Sequence, residues 1–248
     1  MKKISTYLSI CLLIAVTSCS SDDDRPQGYF PTTIEKIDFT NSGNNRTIEL
    51  EYNNQNQISR VEIINPSGNN TIKTLTYTDN KLTQTVTTNS GDSETRNYIY
   101  NASGILSSIV EIDGGSTLTY PVTYDETTNS YTLVDGADNF SFFLNSQGNA
   151  VRYENTFFAD LILTLDNNLS GTFKFLEPQI AYQFEFALFS GMDFYYMSTQ
   201  QINRFEFGVQ DLEPIHTRNQ NDMISTVIYN LTSGGGFQYT FTYSNRNL

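Results

Sequence analysis

The chain has 248 residues, 38% of them hydrophobic and 17% charged, and its 27 acidic against 14 basic side chains give a formal net charge of −13. That length holds one large all-β domain or two small ones around a substantial core, and the acidic balance disfavours nucleic acid, whose phosphates it repels. Two cysteines and one histidine leave no two-histidine metal site and little thiol chemistry, so no cofactor and no metal are expected.

Residues 1–18 have the parts of a secretory signal: Lys2 and Lys3, an apolar run from Tyr7 to Val16, then small residues. The run is shorter than the about 20 residues a spanning helix needs. Val16-Thr17-Ser18-Cys19 resembles the lipobox of bacterial lipoproteins. The resemblance implies that Cys11 is discarded and that Cys19 becomes the lipidated first residue, a membrane anchor of several acyl chains. Asp22, Asp23 and Asp24 follow. A charge run of this kind reads as a solvated tether. Cys-Ser-Ser-Asp-Asp-Asp also resembles the acidic export signal of Bacteroidota lipoproteins, which implies display on the outer membrane, facing outward. Residues 19–31, with Pro26, Gly28 and Pro31, read as a linker.

From residue 32 the pattern is β. Ile48, Leu50 and Tyr52 alternate with Glu49 and Glu51, the period of a half-buried antiparallel strand. Asn53 to Gln57 reads as a turn, Ile58 to Ile64 as the return strand, and Asn65 to Gly68 as the next turn. The phrase recurs through Thr71–Tyr77, Lys81–Thr88, Arg96–Tyr100, Ile105–Ile112 and Ser116–Tyr124, with Asn89-Ser90-Gly91 and Asp113-Gly114-Gly115 as turn signals. Tyr52, Tyr77, Tyr100 and Tyr124 mark a period of about 24 residues.

Tyr98-Ile-Tyr-Asn-Ala-Ser-Gly-Ile-Leu-Ser-Ser-Ile109 resembles the Tyr-Asp repeat of RHS-type proteins, and it is similar to Bacteroidota lipoprotein domains of unknown function with a porin-like fold. The resemblance covers about a third of the chain. It implies an architecture and carries no functional residue.

Composition shifts at residue 140: thirteen of the 17 phenylalanines lie between Phe140 and Phe207. Tyr182, Phe184, Phe186 and Leu188 read as one face of a strand with Gln183 and Glu185 opposite. Phe205 and Phe207 continue the theme, as do Phe237, Tyr239, Phe241 and Tyr243. Ser190 to Ile202 leaves room for a short helix. Such stripes read first as core. Their second reading is the lining of a cavity, with Phe184, Phe186, Phe205, Phe207 and Tyr239 against a ligand. A lipid-facing spanning barrel is disfavoured, because many strands are short and outward positions carry Glu, Asn or Gln.

Catalytic signals are sparse. His216, flanked by Pro214 and Arg218, reads as a surface-loop residue, and no nucleophile elbow or phosphate loop is present. Asp135-Gly-Ala-Asp138-Asn139 reads as an Asp-Gly turn before a calcium loop. The acids are too many and too scattered to nominate a hydrolytic pair. The sequence therefore predicts a single all-β domain over 32–248, repeat-rich over 32–139 and aromatic-rich over 140–248, an antiparallel meander of repeated hairpins curling into a barrel or half-barrel. The expected role is a lipid-anchored, non-catalytic envelope protein that binds a glycan or an apolar ligand. A carboxylate-dependent glycoside hydrolase, or an accessory subunit of an envelope complex, are the rivals.

Overall fold

A computed structural model describes residues 32–41, 45–157, 159–189, 196–231 and 234–245. The signal segment, Cys19, Asp22, Asp23, Asp24 and the linker lie outside the described residues. Pro31–Leu248 form one compact unit.

Almost all of this unit is antiparallel strand. The first nine are β1 (Thr32–Asn41), β2 (Arg46–Tyr52), β3 (Ile58–Ile64), β4 (Thr71–Thr78), β5 (Lys81–Asn89), β6 (Asp92–Tyr100), β7 (Leu106–Asp113), β8 (Ser116–Asp125) and β9 (Ser130–Asp135). Then come β10 (Asp138–Leu144), β11 (Ala150–Asn155), β12 (Leu161–Ser170), β13 (Gln200–Phe207), β14 (Gln210–Leu212), β15 (Ile215–Arg218), β16 (Ile224–Asn230) and β17 (Gly236–Asn245).

Each strand from β1 to β13 pairs with the next, β15 pairs with β16, and β16 with β17. β17 then pairs with β1 along nearly its whole length, from Phe237 opposite Asn41 to Asn245 opposite Thr32. The two ends of this pairing order, β14 and β15, are consecutive in the chain, separated by Glu213 and Pro214. They do not pair with each other, so the curled sheet stays open along this one seam. Proline fits such a place because it has no N–H to give to a ladder.

The alternation seen in sequence becomes an inside and an outside. Ile48, Leu50, Val61, Leu75, Tyr98, Ile109, Leu133, Phe142, Phe205 and Tyr239 are buried on the inner face. The outer face is threonine-rich and charged. Arg60 pairs with Glu51 at 3.0 Å and Glu62 at 2.6 Å, Lys36 with Asp38 at 2.9 Å, and Arg204 with Asp211 at 2.6 Å. Exposed pairs of this kind contribute little stability, about 0–1 kcal/mol each. Charged pairs at these positions differ from the apolar outer band of a lipid-facing barrel, while Ile99, Ile112, Leu118 and Ile162 are exposed elsewhere on the strands.

Antiparallel pairing puts the hairpin turns alternately at two ends. The near end is the one at which β1 starts and β17 finishes. Four of its turns share one geometry. Asn53, Asn101, Asn145 and Asn219 each accept, through Oδ1, the backbone N–H groups two and four residues on, at 2.9–3.1 Å. The fourth residue of each has positive φ: Asn56 60°, Gly104 76°, Gly148 79° and Asp222 58°. Asparagine acts as a folded-in template for the turn, and glycine, asparagine and aspartate are the residues that tolerate this backbone.

The segment expected as an aromatic strand is not a strand. Ile180–Tyr182 form a turn of α-helix that runs into a π-helical turn, Gln183–Leu188, closed by the Phe189 N–H donating to the Phe184 carbonyl at 3.0 Å. All side chains from Ala181 to Ala187 are buried. The short helix anticipated within 190–202 is absent from the described part of that stretch; Gln200 opens β13, and 190–195 lie outside the described residues.

This helix belongs to the long connection between β12 and β13, which leaves from the near end and fills the interior. Tyr182 meets Tyr77 on β4, Phe184 stands edge-on to Phe142 of β10 at 5.1 Å, and Phe189 meets Tyr120 of β8 at 6.0 Å. Tyr196 packs on Tyr239 and Phe241 of β17 at 4.7 and 5.7 Å. Contacts on β4, β8, β10 and β17 come from opposite parts of the curl, so the sheet wraps around the insert. The insert starts at Gly171, whose N–H donates to the Thr199 carbonyl at 2.8 Å where the two legs pass each other. A Cβ on Gly171 would sit 2.4 Å from the carbonyl oxygens of Ser198 and Gln200, so only glycine admits this approach.

Candidate functional site

A polar cluster in the interior is centred on Glu185 of the insert. Glu185 is 0% exposed and forms an ion pair with Lys73 of β4. It accepts a hydrogen bond from the Tyr98 hydroxyl at 2.6 Å and meets Arg96 Nη1 at 3.5 Å. Lys73 also donates to Thr87 at 3.2 Å. Arg96 binds Glu111 at 2.8 Å and Glu94 as well, and its guanidinium stacks over the Phe189 ring at 4.1 Å.

These groups hold one another in defined protonation states. Burial pushes the Tyr98 hydroxyl well above its usual range, and the Glu185 charge adds to this, so Tyr98 stays a donor. Burial works against the Arg96 cation, but Glu185 and Glu94 outweigh it and the pKa rises. Burial raises the Glu94 carboxyl, partly offset by Arg96. The three carboxylates that converge here share one guanidinium. Chemically this is an ion-pair network that fastens the insert to the wall.

A second lock lies nearer the tyrosine turns. Tyr77 donates to the Ile58 carbonyl at 2.5 Å and stands 2.8 Å from the Tyr182 hydroxyl. Gln179 accepts from the Leu82 N–H at 2.9 Å and donates to the Asn80 carbonyl at 2.8 Å.

The aromatic residues singled out from sequence are placed as follows. Phe184, Phe186, Phe205 and Tyr239 are between 0% and 4% exposed and pack ring against ring in the interior. Phe207 is 36% exposed and sits at the far end of β13, apart from the others. The five do not form one lining. His216 is not in a loop: it lies on β15 opposite Val227 of β16 and is half-buried. Burial, and then the Arg218 charge, lower its pKa to about 4, so the imidazole is neutral at physiological pH. Asp135 and Asp138 are paired across the β9–β10 turn, as the Asp-Gly reading requires. Among the described residues, no group of three or more His, Cys, Asp or Glu could hold a metal ion.

A roomier feature was not anticipated. At the near end, where the insert departs, a cleft of about 550 Å³ lies between the end of β12, the start of β13 and residues 174–178. Gln147, Asn167, Asn168, Lys174 and Phe175 line it, and none of its eleven lining residues is acidic. Its floor is Gln200, 5% exposed, whose amide accepts from Asn145 at 2.6 Å and Asn149 at 3.2 Å and donates to Asn167 at 2.9 Å. The available signal was the Asn145-Ser-Gln-Gly148 turn, which copies Asn101-Ala-Ser-Gly104 in sequence and in geometry.

At the far end, Phe157 is 60% and Val209 93% exposed, and Val209 follows Phe207 by two residues. The Gly208-Val209 turn lies against Ala159 of the β11–β12 connection.

No family model matches the chain, and no curated protein matches it. Among solved structures, it is similar to a porin-like protein from Bacteroides uniformis ATCC 8492, 15% identical, with a TM-score of 0.51 over 86% of this chain and 98% of that one. A porin-like protein from Bacteroides vulgatus ATCC 8482 is 9% identical, with a TM-score of 0.46 over 87% of this chain and 100% of the other. The first likeness is one of fold, and it agrees with the porin-like architecture implied by residues 98–109.

Proposed function

We propose that this protein is a lipid-anchored, non-catalytic binding module of the cell envelope, held through Cys19 and displayed outward, with a glycan as its ligand. The observation that carries the reading is the occupied interior. An insert whose central residues are fully buried occupies the curl, and charged, water-facing strands surround it. A wall facing water and a filled lumen suit a scaffold that offers its ends and rims, and they suit neither a channel nor an internal carrier of apolar molecules. The porin-like neighbour from Bacteroides supports an envelope setting.

Two measurements test this. Cys19→Ser moves the protein from the membrane fraction to the soluble one, and protease added to intact cells removes the wild-type chain. The full chain, added to planar bilayers, gives no conductance steps while retaining immobilised polysaccharide. Stepwise conductance, or a soluble wild type, would overturn the proposal.

The hydrolase reading gains no support, since the convergent carboxylates Glu94, Glu111 and Glu185 are all engaged by Arg96. The accessory-subunit reading rests on the exposed Phe157, Phe207 and Val209 at the far end. It predicts a stable partner in membrane pull-downs that is lost on Val209→Asp.

A further inference from the structure

We infer that the near-end cleft beside Gln200 is a saccharide subsite, with Phe175 as its apolar platform and Asn168, Gln147 and Asn167 as its hydroxyl-reading groups. The inference rests on the binding-module reading and adds to it a place and a set of residues.

The cleft has the size of a ligand site, about 550 Å³ against the roughly 300–1,000 Å³ typical of such pockets. Its chemistry is amide-rich. A primary amide presents two donors and a two-lone-pair acceptor, which matches a sugar hydroxyl that both gives and takes a hydrogen bond. The Gln147 and Asn168 side chains make no hydrogen bond among the described residues, although their backbone N–H groups are tied to Asn145 and Asp166. Asn167 is held through its oxygen by Gln200, which leaves its amide nitrogen to donate. The buried Gln200 in turn is fixed by two asparagines, so the polar floor is set before a ligand arrives. Preorganisation of this kind lowers the ordering cost of binding.

The apolar complement is present as well. Phe175 is half-buried in the wall, and Lys174 lies against its ring at 4.8 Å. The negative face of such a ring attracts the C–H groups on one face of a pyranose. None of the lining residues is acidic, although Glu177 lies between the lining residues Leu176 and Pro178, and Asp166 accepts from the Asn168 N–H at 2.8 Å.

The test uses the full chain on immobilised β-glucan, α-glucan, mannan, xylan and pectin. Phe175→Ala and Asn168→Ala are read beside Phe157→Ala, which lies at the opposite end. Wild type and Phe157→Ala should bind the same polysaccharide, and each cleft variant should bind it at least tenfold more weakly with an unchanged thermal midpoint. Should Phe175→Ala fail to fold, Asn168→Ala, exposed and without side-chain partners, carries the comparison. Polysaccharide binding that survives in both cleft variants would overturn the subsite and leave the binding module standing. No retention of wild type on any of the five would overturn both.

Discussion

Tyr98 of the wall donates its hydroxyl hydrogen to Glu185 of the insert at 2.6 Å, and the two residues lie 87 positions apart. Both are almost completely buried. Lys73 and Arg96 also meet the carboxylate, so the contact fixes where the insert sits inside the curl.

Removing that carboxylate takes the ion-pair partner from the buried Lys73 and one of three carboxylates from Arg96. Glu185→Ala should cost about 3–5 kcal/mol, the range for breaking a buried pair from one side. Tyr98→Phe removes one hydrogen bond to a charge and should cost about 1.5–3 kcal/mol. Urea denaturation of the two variants and their double mutant checks this. Tyr98→Phe should add much less in the Glu185→Ala background than alone, because the two changes delete the same contact.

His216 sets a slope of stability against pH. Its folded pKa of about 4 lies below the 6.5 of the unfolded chain, so between these values the unfolded state binds more protons. The contribution is therefore complete above pH 6.5 and is lost as pH falls from 6.5 to 4. Since the ring is only half-buried, solvent screening reduces it to about 1 kcal/mol. His216→Gln should flatten the difference between the urea midpoints at pH 7 and pH 4.5 by that amount.

Gly171→Ala forces a Cβ against two backbone carbonyls where the legs of the insert cross. Neither carbonyl can turn away without losing ladder or turn geometry. The expected cost is about 1–3 kcal/mol, the range for overpacking. Faster amide exchange at Thr199 and Gln200 than in the wild type should accompany it. Gly115→Ala, which meets no atom within 4 Å at the far end, separates this clash from the strain of a positive φ, there 87°.

The buried and exposed phenylalanines separate core from surface. Phe184→Ala should destabilise by about 3–5 kcal/mol through a cavity against Phe142. Phe157→Ala, 60% exposed, should stay within about 0.5 kcal/mol. Thermal midpoints of the two proteins provide the comparison.

Period-2 alternation between Thr47 and Tyr124, with asparagine and glycine at the turns, was enough by itself to place seven strands, and Ile58–Ile64 coincides with β3 to the residue. It also determined which face is inner, because burying Ile48 and Leu50 sends Glu49 and Glu51 outward. The sequence could not distinguish the helix at 180–188 from a strand. Tyr182, Phe184 and Phe186 alternate with Gln183 and Glu185, but the period-2 rule assumes that one face meets water. Inside the curl no face does, and Glu185 is tolerated because Lys73, Arg96 and Tyr98 arrive from distant strands. Likewise His216 became a strand residue because β16 came to lie beside it, and the near-end cleft formed from segments that meet only after folding. Local pattern sets the elements; the filling of the interior is a property of long-range packing, and it decided that this sheet curls around its own chain.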